Sequence, residues 1–227
     1  MKSCFTASAV AAVCVASSAW AGLVNPLTPS WRGATNTMFM GWDVFTSAYA
    51  GANAADMAGS SNLGSLFNFG PGSVLTSTPP MPTGIYNPTG PLSIMIMGGV
   101  TAAPRNPTEM VLNIASAGTG ISNASVAITL FDNSGNSRRF TPGTTTTRSS
   151  APDGFTGTAV TTAFWFTIDS LAWSCSRWQV DFSSTGPHAL LDAVSLDINF
   201  STPVPGPGAL SVLATLLPGA TRGRRRR

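Results

Sequence analysis

The side chains that could carry catalysis are few in this chain, and they are scattered. His188 is its single histidine, and with Asp192 it could supply the base and the orienting acid of a nucleophilic triad. No Gly-x-Ser-x-Gly segment is present to hold the serine of such a triad. His188 follows Gly186-Pro187, a turn that leads into a predicted strand, and this setting is typical of a structural histidine. We therefore predict no catalytic residues and expect that the protein is not an enzyme.

Carboxylates could provide acid–base chemistry or bind a metal ion if two or more of them converged. The nine acidic residues are spread along the chain, and no spacing singles out the facing pair that a glycosidase needs. Asp181 and Asp197 occupy polar positions of predicted strands, so we expect both to face solvent. The segment 132–136 (DNSGN) has the alternating oxygen groups of a calcium loop but lacks the later glutamate, and a hairpin turn explains it more simply. We expect no metal site and no cofactor.

Tryptophan offers a different chemistry, because its flat ring can stack on the face of a sugar. Five of the six tryptophans lie beyond the N-terminal segment. Trp178 belongs to the apolar side of a predicted strand and should lie in the core. Trp165 has the opposite parity from Phe164 and Phe166, which predicts that its ring is exposed. Trp165 and Trp173 are therefore the candidate ligand-binding residues.

The elements that must position these side chains are predicted to be strands. Charged residues make up only 9% of the 227 residues, whereas the chain contains 23 glycines and 17 prolines. Glycine and proline interrupt helices and favour turns. An apolar content of 43% argues against disorder.

The clearest strand patterns lie near the C-terminal end of the body. Residues 177–182 and 194–200 alternate apolar and polar side chains, which predicts an antiparallel sheet with one buried face and one face in water. No strand–helix–strand alternation appears. We therefore predict an all-β fold, an antiparallel two-sheet sandwich of jelly-roll-like type. Further strands are expected at 92–97, 110–114, 126–130, 138–141 and 159–168, a short helix at 51–67, and loops at 70–91 and 142–147.

The N-terminus has the three parts of a secretory signal peptide. Lys2 supplies the positive charge, residues 4–17 form a small apolar region, and Ala19-Trp20-Ala21 matches a cleavage site. We predict cleavage after Ala21. The cysteines of this segment would leave with it, so Cys175 would remain alone and no intramolecular disulfide could form.

The net charge of the chain depends on its two ends. The whole sequence has a formal charge of +3, but residues 22–202 contain six arginines against nine acidic residues, a formal charge of −3. The excess of positive charge belongs to Lys2 and to the arginines of the C-terminal tail. We therefore expect no nucleic-acid partner.

The C-terminal segment 203–227 differs from the body in composition. Prolines interrupt it first, a nine-residue apolar run follows at 209–217, and five arginines lie near its end. The run is short for a membrane-spanning helix, which needs about 20 residues, and the positive-inside rule would keep the arginines cytoplasmic. A nucleic-acid-binding arm would not need the apolar run.

This order of parts resembles a PEP-CTERM sorting signal. The proline motif is Pro205-Gly206-Pro207, with Gly206 in place of the central glutamate. Residues 31–33 (WRG) with 42–43 (WD), and the closing segment 191–197 (LDAVSLD), are also similar to segments of exported proteins of this group. The stop after the apolar run would be formed by Arg224, Arg225, Arg226 and Arg227.

The resemblance implies a membrane exosortase as processing enzyme, contact with the membrane through the tail before processing, and delivery to the cell envelope or surface. It also implies a setting rich in extracellular polysaccharide. We therefore expect three parts: a signal peptide at 1–21, a β-sandwich at 22–202 and a sorting tail at 203–227. The expected role is structural or adhesive, and the alternative is a carbohydrate-binding module of the jelly-roll type.

Overall fold

The fold is described by a computed structural model over residues 22–77, 83–100, 106–152, 157–169, 171 and 173–201. This part of the chain contains thirteen strands and one 3₁₀ helix, Asn123–Ser125. The strands are β1 Thr37–Trp42, β2 Asn53–Ala54, β3 Gly64–Asn68, β4 Val74–Leu75, β5 Ile85–Asn87, β6 Ser93–Gly99, β7 Pro107–Gly118, β8 Ala127–Phe131, β9 Ser137–Phe140, β10 Thr144–Pro152, β11 Thr158–Thr167, β12 Arg177–Ser183 and β13 Ala189–Phe200.

The strands form two sheets. The first sheet has the order β10-β11-β7-β13-β5-β4. β5 pairs only with residues 189–191 of β13, and β1 pairs with residues 194–199 on the same side of that strand. The second sheet has the order β2-β3-β6-β12-β8-β9. Every pairing between these strands is antiparallel, and the chain passes repeatedly from one sheet to the other. The prediction of an all-β, two-sheet sandwich is confirmed.

The inner faces of the two sheets enclose one hydrophobic core. The alternation predicted for 177–182 and 194–200 is confirmed in β12 and β13, whose apolar side chains are buried. Phe164 and Phe166 of β11 are fully buried, and Trp165 between them is half-buried on the opposite face. The core also contains Met40, Trp42, Leu66, Ile96, Leu112, Ile128, Trp178 and Leu196, all fully buried.

Three predicted elements differ from the structure. The expected helix at 51–67 is replaced by β2, a turn-rich segment and the start of β3. Glycines weaken a helix here, and the Asn53 side chain instead accepts hydrogen bonds from the backbone N–H groups of Thr46 and Ser47 at 2.8 Å each. The expected loop at 142–147 contains the start of β10, where four consecutive threonines pair with β11, as suits β-branched residues. The expected loop at 70–91 also contains β4 and β5.

The outer face of the first sheet is covered by the N-terminal lead-in, residues 22–36. The Leu27 N–H donates to Asn113 Oδ1 at 2.7 Å, and the Val24 N–H donates to Thr161 Oγ1 at 3.1 Å. Asp197, which lies on this face, is fully buried. The prediction that Asp197 faces solvent is therefore wrong, because period-two alternation identifies the two faces of a strand but not what covers the second one.

The outer face of the second sheet is more open. Phe67, Met95, Met97 and Phe131 lie there and are all only partly buried. Phe67 stacks on the exposed Phe69 with ring centroids 6.1 Å apart. The sandwich therefore has one covered outer face and one that solvent reaches.

Candidate functional site

A groove opens at one end of the outer face of the second sheet. The start of β3, the end of β6, the start of β12 and the turn between β8 and β9 bound it, and its volume is about 720 Å³. This size lies within the range of small-molecule sites. We call it the end groove, and its principal side chains are Asn62, Ser65, Phe67, Met97, Asn133 and Arg177. No residue of this group was predicted as a site residue, because they come from four separate segments of the chain.

Arg177 provides the positive charge of the end groove. Its guanidinium carbon lies 4.4 Å from the centroid of the Phe131 ring, within the range of a cation–π contact. Among the described residues, no carboxylate forms an ion pair with Arg177. Its N–H donors therefore remain available for a ligand.

Asp132 places a carboxylate at the same groove, but its own turn uses that carboxylate. Oδ1 accepts hydrogen bonds from the backbone N–H groups of Ser134 and Asn136, each at 2.8 Å, and Oδ2 accepts one from Asn136 Nδ2 at 2.5 Å. The side-chain bond from Asn136 is the main reason why the pKa of Asp132 is lowered. β8 and β9 pair on either side of this segment. The preference for a hairpin turn over a calcium loop is supported.

A smaller hollow lies on the first sheet around Trp165. It has a volume of about 270 Å³, and its walls include Leu27, Thr144, Thr146 and Thr167. Thr144 stands directly opposite Trp165 in the pairing of β10 with β11. The half-buried Trp165 ring thus has hydroxyl groups beside it, an arrangement that could accept one sugar ring.

Trp173, the second candidate, does not belong to this hollow. It packs against the hydrophobic core, and its backbone carbonyl accepts a hydrogen bond from Asn106 Nδ2 at 3.1 Å. The structure therefore does not bring Trp165 and Trp173 together in one pocket, and the surroundings of Trp173 are those of a packing residue.

His188 and Asp192 do not form the base–acid pair of a triad in the described part of the chain. His188 is exposed with a φ of 61°, and its Nδ1 lies 2.9 Å from the Tyr86 hydroxyl oxygen. Asp192 has a raised pKa, mainly because of burial and then because of the negative charge of Asp43. No hydrogen bond joins His188 to Asp192.

Asp43 also influences a second carboxyl group, that of Asp56, and no sequence pattern predicts this relationship. Asp56 accepts hydrogen bonds from the backbone N–H groups of Asp43 at 3.1 Å and Val44 at 2.8 Å. Burial is the main reason why the pKa of Asp56 is raised, and the charge of Asp43 raises it further. Nevertheless, no group of three or more metal-ligating side chains suited to an ion occurs within the described ranges.

The buried Asp197 is paired with Arg32 of the lead-in. The Arg32 guanidinium donates to both carboxylate oxygens and also lies over the Phe39 ring, 4.2 Å from its centroid. Burial raises the pKa of Asp197, and the hydrogen bonds and charge of Arg32 oppose that shift. Nothing in the sequence connects Arg32 with Asp197, because a pairing across most of the chain leaves no spacing signal.

Cys175 is a free, buried cysteine. Its backbone N–H donates to Asn106 Oδ1 at 2.7 Å, and burial raises the pKa of its thiol. A buried thiol with a raised pKa is a poor nucleophile. The structure supports the interpretation of Cys175 as a small packing side chain.

The predicted terminal sites lie outside the described residues. These are the cleavage residues Ala19 and Ala21, the motif Pro205-Gly206-Pro207, and the arginines 224–227. Within the described ranges, no helix is long and apolar enough to cross a membrane. Comparison with known proteins finds no family model that matches this chain and no match among curated proteins.

Proposed function

We propose that this chain is an exported protein of the cell envelope or cell surface, with a structural or adhesive role. The order of its parts carries the proposal: a signal-like N-terminus, a β-sandwich body, and a tail that resembles a PEP-CTERM sorting signal. An exosortase-type enzyme would recognise Pro205-Gly206-Pro207 and process the tail. The lead-in, which would form the new N-terminus after cleavage, packs on the sandwich and so belongs to the folded body.

Mass spectrometry of the protein isolated from the cells that make it tests this proposal. We expect a mature N-terminus at Gly22 and a C-terminus that lacks Arg224–Arg227, in the envelope or extracellular fraction. The variant Pro205→Ala/Pro207→Ala should keep the intact tail, whereas Pro203→Ala, outside the motif, should be processed normally. An exported protein that ends at Arg227 would contradict the sorting mechanism, and a cytoplasmic protein that begins at Met1 would contradict export.

Carbohydrate binding is a second candidate function. The half-buried Trp165 ring and the threonine hydroxyls beside it favour this function, since a sugar ring offers both an apolar face and hydroxyl groups. The hollow is sized for one sugar unit rather than for a chain. It does not depend on Trp173.

A further inference from the structure

We infer that the end groove binds a neutral polysaccharide chain. This inference rests on the adhesive role proposed above, because it names the class of ligand through which the body would adhere. The site differs from the Trp165 hollow in its sheet, its size and its side chains. Four properties of the groove lead to this ligand class.

The first property is a floor with apolar side chains next to bare backbone. Phe67 and Met97 are partly exposed and offer apolar surface to the C–H faces of sugar rings. Gly99 beside them places no side chain in the groove, and a Cβ at this position would meet only the Ser176 carbonyl oxygen, at 3.7 Å. The floor is therefore low at this point.

The second property is a polar rim of free hydrogen-bonding groups. Asn62 and Asn133 are exposed, and their amides can both donate and accept hydrogen bonds, as sugar hydroxyls do. Arg177 adds a planar set of donors that its contact with Phe131 orients. Groups of this kind, converging on an apolar floor, match the alternation of hydroxyl and C–H surface on a glycan.

The third property is the balance of charge. Arg177 and Asp132 contribute opposite charges to the same groove. Asp132 keeps its charge, because the turn that it stabilises lowers its pKa. A polyanionic chain would be attracted by Arg177 and repelled by Asp132, whereas a neutral chain needs only the hydrogen bonds. The groove therefore favours neutral sugars over acidic ones.

The fourth property is the absence of a free strand edge at the groove. β3, β6, β12 and β8 each have strand neighbours on both sides. A peptide that binds by strand addition needs an unpaired edge. A peptide therefore cannot bind to the groove in this way. The outer face also continues beyond the groove. Gln179 of β12 lies next on this face, in register with both Met97 of β6 and Thr129 of β8. An extended chain can thus follow the face beyond the groove.

Affinity electrophoresis of the purified full chain tests the inference. The gels contain a mixed-linkage β-glucan, galactomannan, xylan or dextran as neutral probes, and alginate as the acidic probe. We expect at least one neutral polysaccharide to retard the chain more strongly than alginate does. Retardation by none of the neutral probes, or stronger retardation by alginate, would overturn the inference.

Matched variants locate the binding site. Arg177→Ala and Asn133→Ala should each weaken binding at least tenfold, whereas Arg138→Ala should bind as the parent does, because this exposed arginine pairs in register with the core residue Leu130 and lies off the outer face. Circular dichroism confirms that each variant is folded, and Asn133 lies in an exposed turn where substitution leaves the core intact. Loss of binding in Trp165→Ala with full binding in Arg177→Ala would assign the ligand to the hollow and overturn the inference.

The outcome is independent of sorting. Binding is measured in solution, so an unprocessed C-terminus in cells would contradict the sorting mechanism without changing the electrophoresis result. Conversely, a chain that is processed and exported but binds no polysaccharide would contradict the inferred polysaccharide ligand. It would not contradict the proposed structural role.

Discussion

Arg32 and Asp197 form a two-pronged ion pair that joins the lead-in to the central strand of the first sheet. Nε lies 2.5 Å from Oδ1 and Nη2 lies 2.6 Å from Oδ2, although the two residues are 165 positions apart. The Asp197 side chain is fully buried, whereas 28% of the Arg32 side chain remains exposed. The pair therefore attaches a segment without strands to the sandwich through a carboxylate that is itself fully buried.

Arg32→Ala should destabilise the protein markedly, because it leaves the charge of Asp197 buried without a partner. We expect the free energy of unfolding to fall by about 3–5 kcal/mol, measured by urea denaturation. Asp197→Asn in the same chain should restore part of this loss. Arg148→Ala is the control, since the Arg148 side chain donates to a neutral acceptor of the lead-in, the Asn25 carbonyl oxygen, and the second bond between the two residues uses the Arg148 backbone. An equal effect of the two arginine substitutions would contradict a special role for the Arg32–Asp197 pair.

Mild acidification should stabilise the folded protein. The pKa values of Asp56, Asp192 and Asp197 are raised, mainly by burial. Between the ordinary value of 3.8 and these raised values, the folded state binds more protons than the unfolded state, so stability increases as pH falls through the raised values and decreases as pH rises through them. Urea denaturation between pH 7 and pH 4.5 measures this dependence.

Asp192→Asn should reduce the increase in stability on acidification, because it removes one of the titrating groups. Asp132 behaves in the opposite sense, since its lowered pKa gives a contribution that is present above 3.8 and lost only at lower pH. Asp132→Asn should therefore leave the slope between pH 7 and pH 4.5 unchanged. A stability that falls steadily on acidification from pH 7 would show that burial does not control these carboxyl groups.

Two adjacent glycines should respond differently to the same substitution. Gly98→Ala would force the new methyl group into the Trp178 ring, whereas the nearest atom to a Cβ at Gly99 is the Ser176 carbonyl oxygen at 3.7 Å. Overpacking of this kind costs about 1–3 kcal/mol, so thermal unfolding should show a lower Tm for Gly98→Ala. Gly99→Ala should change stability by less than about 1 kcal/mol. Equal Tm values for the two variants would mean that Trp178 can move away.

Trp165→Ala should abolish binding of single sugars at the hollow. Saturation-transfer NMR of the full chain with glucose, galactose, mannose and N-acetylglucosamine measures this interaction. We expect a signal from at least one sugar that is absent in Trp165→Ala and retained in Trp173→Ala, provided that the latter variant is folded, because Trp165 lines the hollow and Trp173 does not. A signal that persists in Trp165→Ala would place sugar binding elsewhere.

Local sequence patterns predicted which side chains of β12 and β13 face the core. In 177–182 and 194–200 the apolar residues repeat at every second position, and they form the inward sides of β12 and β13. The DNSGN turn was predicted because turn residues act through their own backbone geometry. These features depend on neighbours in sequence.

The sandwich therefore follows from the sequence alone, through the period of its apolar residues, the spacing of its turns and the scarcity of helix-forming segments. The candidate sites do not. Only the tertiary structure decided that the lead-in covers one outer face and buries Asp197, that the other outer face stays open, and that Asn62, Asn133 and Arg177 meet at one groove. The reason is physical: periodicity reports which side of a strand is apolar, whereas covering a face or assembling a groove depends on contacts between segments far apart in the chain.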